Sequence, residues 1–385
     1  MRATGLQNES AELSLNPIIL RHETSCQIWP PSNIDIRAKP IPPTFLAPTT
    51  ALRISVSAMI IRDDNFKRSD AWLRPASFDP CTRMIQLVAL VSLAVYASIC
   101  HAQDTNTVAK AAGKLYFGSA TDNPELTDTA YVDILSDTAL FGQITPGNSL
   151  KWDATEPQRG TFSFDGGDAI VNLAQENGQL IRGHTTVWHS QLPSWVSDGN
   201  FDQETLTSII QTHVSTVMGR YKGQIWDVVN EPFNEDGTFQ SFVLYDTLGE
   251  SYIDVALSAA READPDVKLY INEFNIDGSG AKSTAMFNLV QGLQDRGVPI
   301  DGIGIQAHLI VGALPGDIQA NFEQFASLGV EIAITELDIR MELPVTDEKL
   351  EQQRQDYQDC QGAALPWDEN LEKKPAYDGI IDGFA

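Results

Sequence analysis

The chain has 385 residues, 42% of them hydrophobic, which is enough to build the core of one large domain or two. Its formal net charge of −26 excludes a surface that seeks nucleic acid or an anionic membrane, and it suits an uncharged or cationic partner. The sequence has no zinc or redox spacing of cysteines and no GxGxxG or phosphate loop, so we expect neither a metal nor another cofactor.

The first hundred residues differ from the remainder. Residues 1–83 have scattered prolines and no sustained period of 2 or 3.6, so we expect them to be disordered. From Met84 the sequence changes to an almost wholly apolar run at 87–99 that ends near Ala102, which is typical of a secretory signal peptide cleaved after that alanine. The run is too short for a membrane span, and a buried core helix is the alternative. We therefore hypothesise that translation starts at Met84 and that residues 1–83 come from a wrong gene model.

Removing this part makes the remainder more acidic. The first 102 residues hold 10 Lys/Arg and 8 Asp/Glu, which leaves 16 basic and 44 acidic residues in 103–385, a net charge of −28. Three of the four cysteines also fall in the removed part, and Cys360 is left alone, which is unusual in a secreted chain. We expect residues 103–385 to form a secreted, extracellular monomer.

From Lys114 onward, short apolar runs alternate with helix-length amphipathic stretches. The runs are Leu115–Gly118, Phe141–Thr145, Leu180–Val187, Ile225–Asn230, Lys268–Asn272, Gly302–Ala307 and Glu331–Thr335. The helical stretches include Asp165–Asn177, Gln203–Tyr221, Tyr245–Ala263 and Gly280–Arg296. Buried strands that alternate with helices predict a parallel sheet. Seven such units at spacings of roughly 30–50 residues favour a TIM (β/α)8 barrel over a doubly wound sheet, which would show a glycine fingerprint at its first turn.

Polar residues stand at the carboxyl ends of the predicted strands. They are Asn148 and Lys151 after the second strand, His184, Trp188 and His189 after the third, Asn230 and Glu231 after the fourth, Asn272 and Glu273 after the fifth, Gln306 and His308 after the sixth, and Glu336 and Asp338 after the seventh. In a barrel these ends converge on one face, where barrel enzymes keep their chemistry. A single histidine there is more often a satisfied core residue, but a whole ring of amides, imidazoles and carboxylates predicts an active site.

Two of these strands end in a glutamate. Glu231 closes the fourth strand and Glu336 the seventh, and these strands lie on opposite sides of an eight-stranded barrel. A single glutamate at a strand end can instead cap the next helix or pair with a lysine. Two opposed carboxyls without a metal ligand set match the requirement of glycosidic bond cleavage, which needs one protonated and one ionised group.

The neighbours of each carboxyl suggest its role. Glu336 is followed by Asp338 and has His308 nearby, so we expect the imidazole to stabilise the ionised form of Glu336 while Asp338 orients the ring. Glu231 stands beside Trp226 in more apolar surroundings, which predicts the protonated, acid role for it.

Four motifs resemble those of the family 10 glycoside hydrolases, endo-1,4-β-xylanases of the secreted fungal type, over about Lys114 to Tyr357. They are Thr145–Pro157 (TPGNSLKWDATEP), Gly183–Pro193 (GHTTVWHSQLP), Trp226–Pro232 (WDVVNEP) and Ile334–Asp338 (ITELD). The resemblance implies a retaining double displacement on internal bonds of xylan, with Glu231 as acid/base and Glu336 as nucleophile. It implies substrate-binding residues at Asn148, Lys151, His184, Trp188, Gln191, Asn230, Gln306 and His308, with His189 and Asp338 in support. The expected partners are xylan and xylo-oligosaccharides.

The chain departs from the family at two places. Gly147 stands where many members have a sugar-binding glutamate, so we expect a weaker hold on the non-reducing side. After Tyr357 no apolar run of β-formers occurs between Lys349 and Asn370, and a barrel that loses its eighth strand, here roughly 40 residues, exposes the edges of strands one and seven. The edge is either left open or closed by strands one and seven drawing together. We expect such a chain to be poorly soluble and nearly inactive.

Two other functions stay open at this point. The missing segment leaves room for an inactive or carbohydrate-binding relative. Another glycosidase with carboxylates on strands four and seven, such as a β-mannanase or a cellulase, is the second alternative, although the stretch Lys151–Pro157 argues against it.

Overall fold

The structure, a computed structural model, describes residues 104–360 and 371–384. The predicted disordered region 1–83 and the signal peptide 84–102 lie outside the described residues, and both stay predictions. No helix in the described part of the chain has the length and apolar character that crossing a membrane requires.

The core of the fold is a parallel sheet. The strands are β1 (Gly118–Thr121), β2 (Gln143–Pro146), β3 (Leu180–Trp188), β4 (Ile225–Asn230), β5 (Lys268–Glu273), β6 (Gly302–Ile305), β7 (His308–Ile310), β8 (Glu331–Ile334) and β9 (Asp338–Arg340). Seven of them pair in the order β1-β2-β3-β4-β5-β6-β8, every pair parallel, while β7 and β9 form a separate parallel pair. The sheet confirms the predicted barrel architecture and places β4 and β8 at positions four and seven.

Helices follow most strands and cover the sheet. They are α1 (Thr105–Ala111), α2 (Thr129–Leu135), α3 (Trp152–Thr155), α4 (Asp165–Asn177), α5 (Ser194–Ser197), α6 (Gln203–Arg220), α7 (Val243–Leu248), α8 (Ser251–Ala263), α9 (Ala281–Asp295), α10 (Ile318–Ala326), α11 (Asp347–Cys360) and α12 (Pro375–Phe384), with a 3₁₀ turn at Glu125–Thr127. The interior strands are buried because helices pack on one side and the barrel core on the other, so Ile181, Val228, Leu269 and Ile303 have no exposed surface.

Two predicted elements are wrong in detail. The first strand is Gly118–Thr121 rather than Leu115–Gly118, and Leu115 itself is 71% exposed. The predicted helix Tyr245–Ala263 is two helices, because Gly249 takes a positive φ of 62° that ends α7.

One side of the sheet is open. Among the described strands β1 pairs with β2 and β8 pairs with β6, so the alternative in which strands one and seven draw together is wrong. All four residues of β8 and three of four in β1 are partly exposed, whereas β6 is wholly buried. α11 packs on α12, and α12 packs on α1. Phe384 of α12 also meets the ring of Phe117, which follows α1, edge to face with the ring centres 6.5 Å apart.

Candidate active site

The strand ends bring the predicted polar residues together on one face. β4 ends at Asn230, and Glu231 follows with a positive φ of 51°, a backbone conformation that is unfavourable for a residue with a Cβ. Asn272 and Glu273 end β5, and Gln306 follows β6.

The Glu231 carboxylate accepts hydrogen bonds from three neighbours. Its Oε2 accepts from Trp188 Nε1 at 2.8 Å. Its Oε1 accepts from Gln306 Nε2 at 3.0 Å and from Asn230 Nδ2 at 3.3 Å. The predicted apolar surroundings are therefore wrong. Trp226 is fully buried and covers Gly183 instead, because successive side chains of a strand point to opposite faces.

Glu336 is held as an anion. Its Oε2 lies 3.4 Å from His308 Nε2, and its Oε1 accepts from Asn272 Nδ2 at 2.8 Å. Burial raises the pKa of Glu336, but the hydrogen bond and charge of His308 and the charge of His184 outweigh it and lower this pKa to about 2.

His308 is held by carboxylates on both ring nitrogens. Its Nδ1 lies 3.2 Å from Asp338 Oδ1, on the opposite side from Glu336. Burial lowers the pKa of His308, but the hydrogen bonds to Asp338 and Glu336 outweigh burial and raise it to about 10. The ring is therefore a cation at neutral pH, and it stabilises the ionised form of Glu336.

A line of side-chain amides joins the two glutamates. Asn272 Nδ2 donates to Asn230 Oδ1 at 2.9 Å as well as to Glu336, and Asn230 donates to Glu231. The Asn272 amide is itself oriented by Thr335, whose hydroxyl donates to Asn272 Oδ1 at 2.7 Å. Sequence reasoning placed Asn272 at a strand end but gave it no role, since nothing in a single strand shows which neighbours its amide reaches.

A second polar cluster continues from Trp188 away from the carboxyls. Lys151 Nζ lies 4.8 Å from the centre of the Trp188 ring and donates to Gln191 Oε1 at 2.6 Å and to Asn148 Oδ1 at 3.1 Å. All four were predicted as substrate-binding residues, and the structure brings them together. His189 lies behind them, with its ring against Trp188 and Phe242.

Asp122 holds this cluster in place and was missed from the sequence. Its Oδ1 accepts from the Asn148 backbone N–H at 2.8 Å, and its Oδ2 accepts from Asn148 Nδ2 at 2.5 Å. A Cβ at Gly147 would lie 2.9 Å from Asp122 Oδ2, so the glycine makes room for this carboxylate. A surface pocket of about 560 Å³ continues from here, lined by residues that include Asp122, Asn148 and Gln191.

His184 is oriented from below by a buried ion pair. Its Nδ1 lies 3.1 Å from Asp227 Oδ2, and Asp227 is bound by two nitrogens of Arg182, at 3.1 and 2.5 Å. The Arg182 guanidinium also lies 4.4 Å from the centre of the Tyr270 ring. The signal in the sequence was a charged residue inside an otherwise apolar strand, at Arg182 in β3 and at Asp227 in β4.

The geometry defines a class of protein. Two carboxyls at the ends of the fourth and seventh strands of a parallel barrel sheet, joined by amides and flanked by polar and aromatic side chains, form a site of the glycoside hydrolase type. No group of three or more His, Cys, Asp or Glu within the described residues is arranged to hold a metal ion.

The sequence model described as "Glycosyl hydrolase family 10" matches residues 104–363, and the chain belongs to this family. An "Endo-1,4-beta-xylanase" of Agaricus bisporus is 58% identical over 73% of this chain and 94% of its own length. "Endo-1,4-beta-xylanase A" of Phanerodontia chrysosporium is 56% identical over 73% of this chain and 77% of its own length.

Solved structures give the same result. A family 10 xylanase from Bispora with xylobiose superposes with a TM-score of 0.69 at 34% identity, covering 73% of this chain and 99% of that protein. Native xylanase 10B from Thermotoga maritima gives 0.69 at 32% identity, covering 73% and 98%.

Proposed function

We propose that the chain is an endo-1,4-β-xylanase that hydrolyses internal β-1,4 bonds of xylan and xylo-oligosaccharides with retention of configuration. Glu336 is the nucleophile and Glu231 is the acid/base. The observation that carries the proposal is the position of the Glu336 carboxyl, which lies against His308 and is joined through Asn272 and Asn230 to a second carboxyl at the opposite strand end.

The reaction runs in two steps. Glu336 attacks the anomeric carbon while protonated Glu231 gives its proton to the leaving glycosidic oxygen, and a covalent glycosyl-enzyme forms. Glu231, now a carboxylate, then takes a proton from a water that attacks the same carbon, and Glu336 leaves as a carboxylate. The bonds from Trp188 and Gln306 aim the Glu231 carboxyl at the oxygen that needs the proton.

The polar cluster beyond Trp188 binds the sugar. Lys151, Asn148 and Gln191 present an ammonium and two amides that suit ring hydroxyls, and Trp188 supplies an apolar surface. We propose further that the protein is secreted as a monomer after cleavage following Ala102, as its signal-like segment and acidic composition suggest.

A second candidate, a carbohydrate-binding relative with little turnover, is supported by the open wall between β1 and β8. Reducing-sugar release from xylan, with mannan and cellulose in parallel, tests both functions and the other glycosidases. Release from xylan above the other two polymers supports the xylanase. Binding of xylo-oligosaccharides without release supports the second candidate, and preferred release from mannan or cellulose refutes both.

A further inference from the structure

Besides the candidate catalytic residues Glu231 and Glu336, a third glutamate stands at the end of a strand of the barrel sheet. Glu273 is the last residue of β5 and has no exposed surface. Its Oε2 accepts from the Phe233 backbone N–H at 3.1 Å, and its Oε1 accepts from the Phe274 N–H at 3.0 Å. Lys282 Nζ of α9 lies 3.0 Å from the same carboxylate. The side chain therefore faces the loop that carries Glu231.

The loop after β4 needs bonds of this kind because the backbone conformation of Glu231 is strained. Its φ of 51° is one that residues with a Cβ rarely adopt, and it persists only where surrounding bonds impose it. On one side the Glu231 backbone N–H donates to the Asn272 carbonyl at 2.9 Å. On the other side, beyond Pro232, the next available N–H belongs to Phe233 and donates to Glu273.

Lys282 adds a second connection between this loop and the rest of the fold, through Glu235. Its side chain is 3% exposed, and its ammonium lies 3.2 Å from the centre of the Phe274 ring and reaches Glu235 Oε1 at 3.1 Å as well as Glu273. The segment 231–235 is thus tied to the end of β5 and to α9 at residues 231, 233 and 235. Burial raises the pKa of Glu273, and the charge of Lys282 opposes that shift.

We propose that Glu273 is a positioning residue for proton transfer. It fixes the strained turn at Glu231 so that the Glu231 carboxyl reaches the leaving oxygen. The inference rests on the proposed function and goes beyond it, because Glu273 has no exposed surface to offer a sugar and its bonds go to Phe233, Phe274 and Lys282. Glu336 follows β8 and is held by the side chains of His308 and Asn272, so loosening the turn at residue 231 impairs proton donation while nucleophilic attack is preserved.

The test compares two leaving groups in Glu273→Gln, which keeps the size of the side chain and replaces one acceptor oxygen by an NH2 group. With unmodified xylo-oligosaccharides, whose leaving group needs a proton, we expect kcat/KM to fall by about 10- to 100-fold, as small misplacements of an acid catalyst cause. With an activated aryl β-xylobioside, whose leaving group needs none, we expect a change within about threefold. A purely structural role lowers both by the same factor.

Glu156→Gln is the matched control. Like Glu273, Glu156 is buried, accepts backbone N–H and meets a side-chain partner. It accepts from the Gly160 N–H at 2.8 Å, and its Oε2 lies 3.0 Å from His213 Nδ1. It makes no contact with segment 231–235 among these bonds, so the ratio of the two activities should stay at the unsubstituted value.

Glu235→Gln covers the case in which Glu273→Gln fails to fold. Glu235 is 64% exposed, so the substitution threatens the loop anchor and not the core. We expect a loss of about 3- to 10-fold on xylo-oligosaccharides alone. Equal losses on both substrates in either variant, or no loss in both, overturn the inference and leave the proposed function standing. An unsubstituted chain that cleaves neither substrate refutes the proposed function itself.

Discussion

Asn272 and Glu336 are joined by a 2.8 Å hydrogen bond that crosses from the fifth to the seventh strand of the barrel sheet. The amide donates to Glu336 Oε1, which favours the ionised carboxyl and contributes to its low pKa. The same nitrogen donates to Asn230, so one amide helps to set both the charge of Glu336 and its place relative to the opposite strand end.

Removing this amide should raise the pKa of the nucleophile. We expect Asn272→Ala to shift the acid limb of kcat/KM for xylo-oligosaccharides to higher pH and to lower the plateau by roughly 10-fold. A pH series from about 2 to 7, with the substrate concentration far below KM, measures the shift. Asn321→Ala is the control, since Asn321 is a buried amide bonded to the Ile276 carbonyl and not to the site. An unchanged acid limb in Asn272→Ala would show that the bond does not set the charge of Glu336.

Truncating each catalytic glutamate should separate their roles. Glu336→Ala removes the nucleophile, so we expect no turnover of any substrate, whereas Glu231→Ala should keep the first step on activated aryl glycosides. Burst kinetics with an aryl xylobioside measures that step. Equal damage to activated and natural substrates in Glu231→Ala contradicts the acid assignment. Retention needs the carboxyls about 5–5.5 Å apart, and an inverted first product, read by NMR of the anomeric proton, contradicts the nucleophile assignment.

Asp122 should act on binding and not on the chemical step. In Asp122→Asn we expect the remaining oxygen to keep the backbone N–H of Asn148, so that the new amide nitrogen faces Asn148 Nδ2. The Asn148 side chain then turns, and its oxygen no longer meets Lys151. We expect KM for xylotetraose to rise about 10-fold with kcat within about twofold. Asp128→Asn is the matched control, because Asp128 also accepts backbone N–H bonds but caps α2. A fall in kcat with unchanged KM would contradict this assignment.

Stability should be highest in mildly acidic solution. The folded-state pKa of Glu336 is lowered from 4.5 to about 2, so its contribution is present above pH 4.5 and is lost as the pH falls toward 2. The pKa of His308 is raised from 6.5 to about 10, so its contribution is present below pH 6.5 and is lost as the pH rises toward 10. The raised pKa of Glu273, about 8, acts in the same direction between pH 4.5 and 8.

Thermal unfolding measured from pH 3 to 10 tests this profile. We expect the unfolding temperature to be highest near about pH 4.5, to fall below it as Glu336 is protonated, and to fall above it first through Glu273 and then also through His308. In His308→Gln the alkaline fall should be smaller. An alkaline fall as steep as in the unsubstituted chain would show that His308 does not carry it.

The sequence predicted correctly the elements whose ends are determined by residues within them or next to them. The bounds of β4 and α4 match the predicted Ile225–Asn230 and Asp165–Asn177, because an apolar run closed before Pro232 and an amphipathic helix ended by Gly178 carry their own signals. β1 was misplaced, since its residues Gly118–Thr121 include little that favours a strand and are fixed by pairing with β2.

The contacts of the site could not be predicted in the same way. Glu231 receives bonds from Trp188 and Gln306, which are 43 and 75 residues away in the sequence. Their arrival depends on strand register and barrel curvature, which no segment specifies alone. Asp122 was missed for the same reason, because it follows a strand whose position was itself misjudged.

The last prediction concerns the open side of the sheet between β1 and β8. Among the described strands, β1 and β8 each have an edge that no other strand pairs with, and both strands are partly exposed where a closed barrel would bury them, which costs stability. Contacts of α12 with α1 offset part of this cost, and the bonds among Glu231, Asn272 and Glu336 do not involve the missing strand. We therefore expect the chain from Gln103 onward to unfold at lower temperature, with lower xylan turnover, than a chain with the corresponding segment of the Agaricus relative inserted after Asp359.

Insertion of an equally long Gly/Ser segment at the same place is the control, and it should recover neither property. An unfolding temperature near 60 °C, ordinary for a mesophilic domain, and unreduced turnover in the chain without the insertion would show that the seven-stranded sheet is complete in itself.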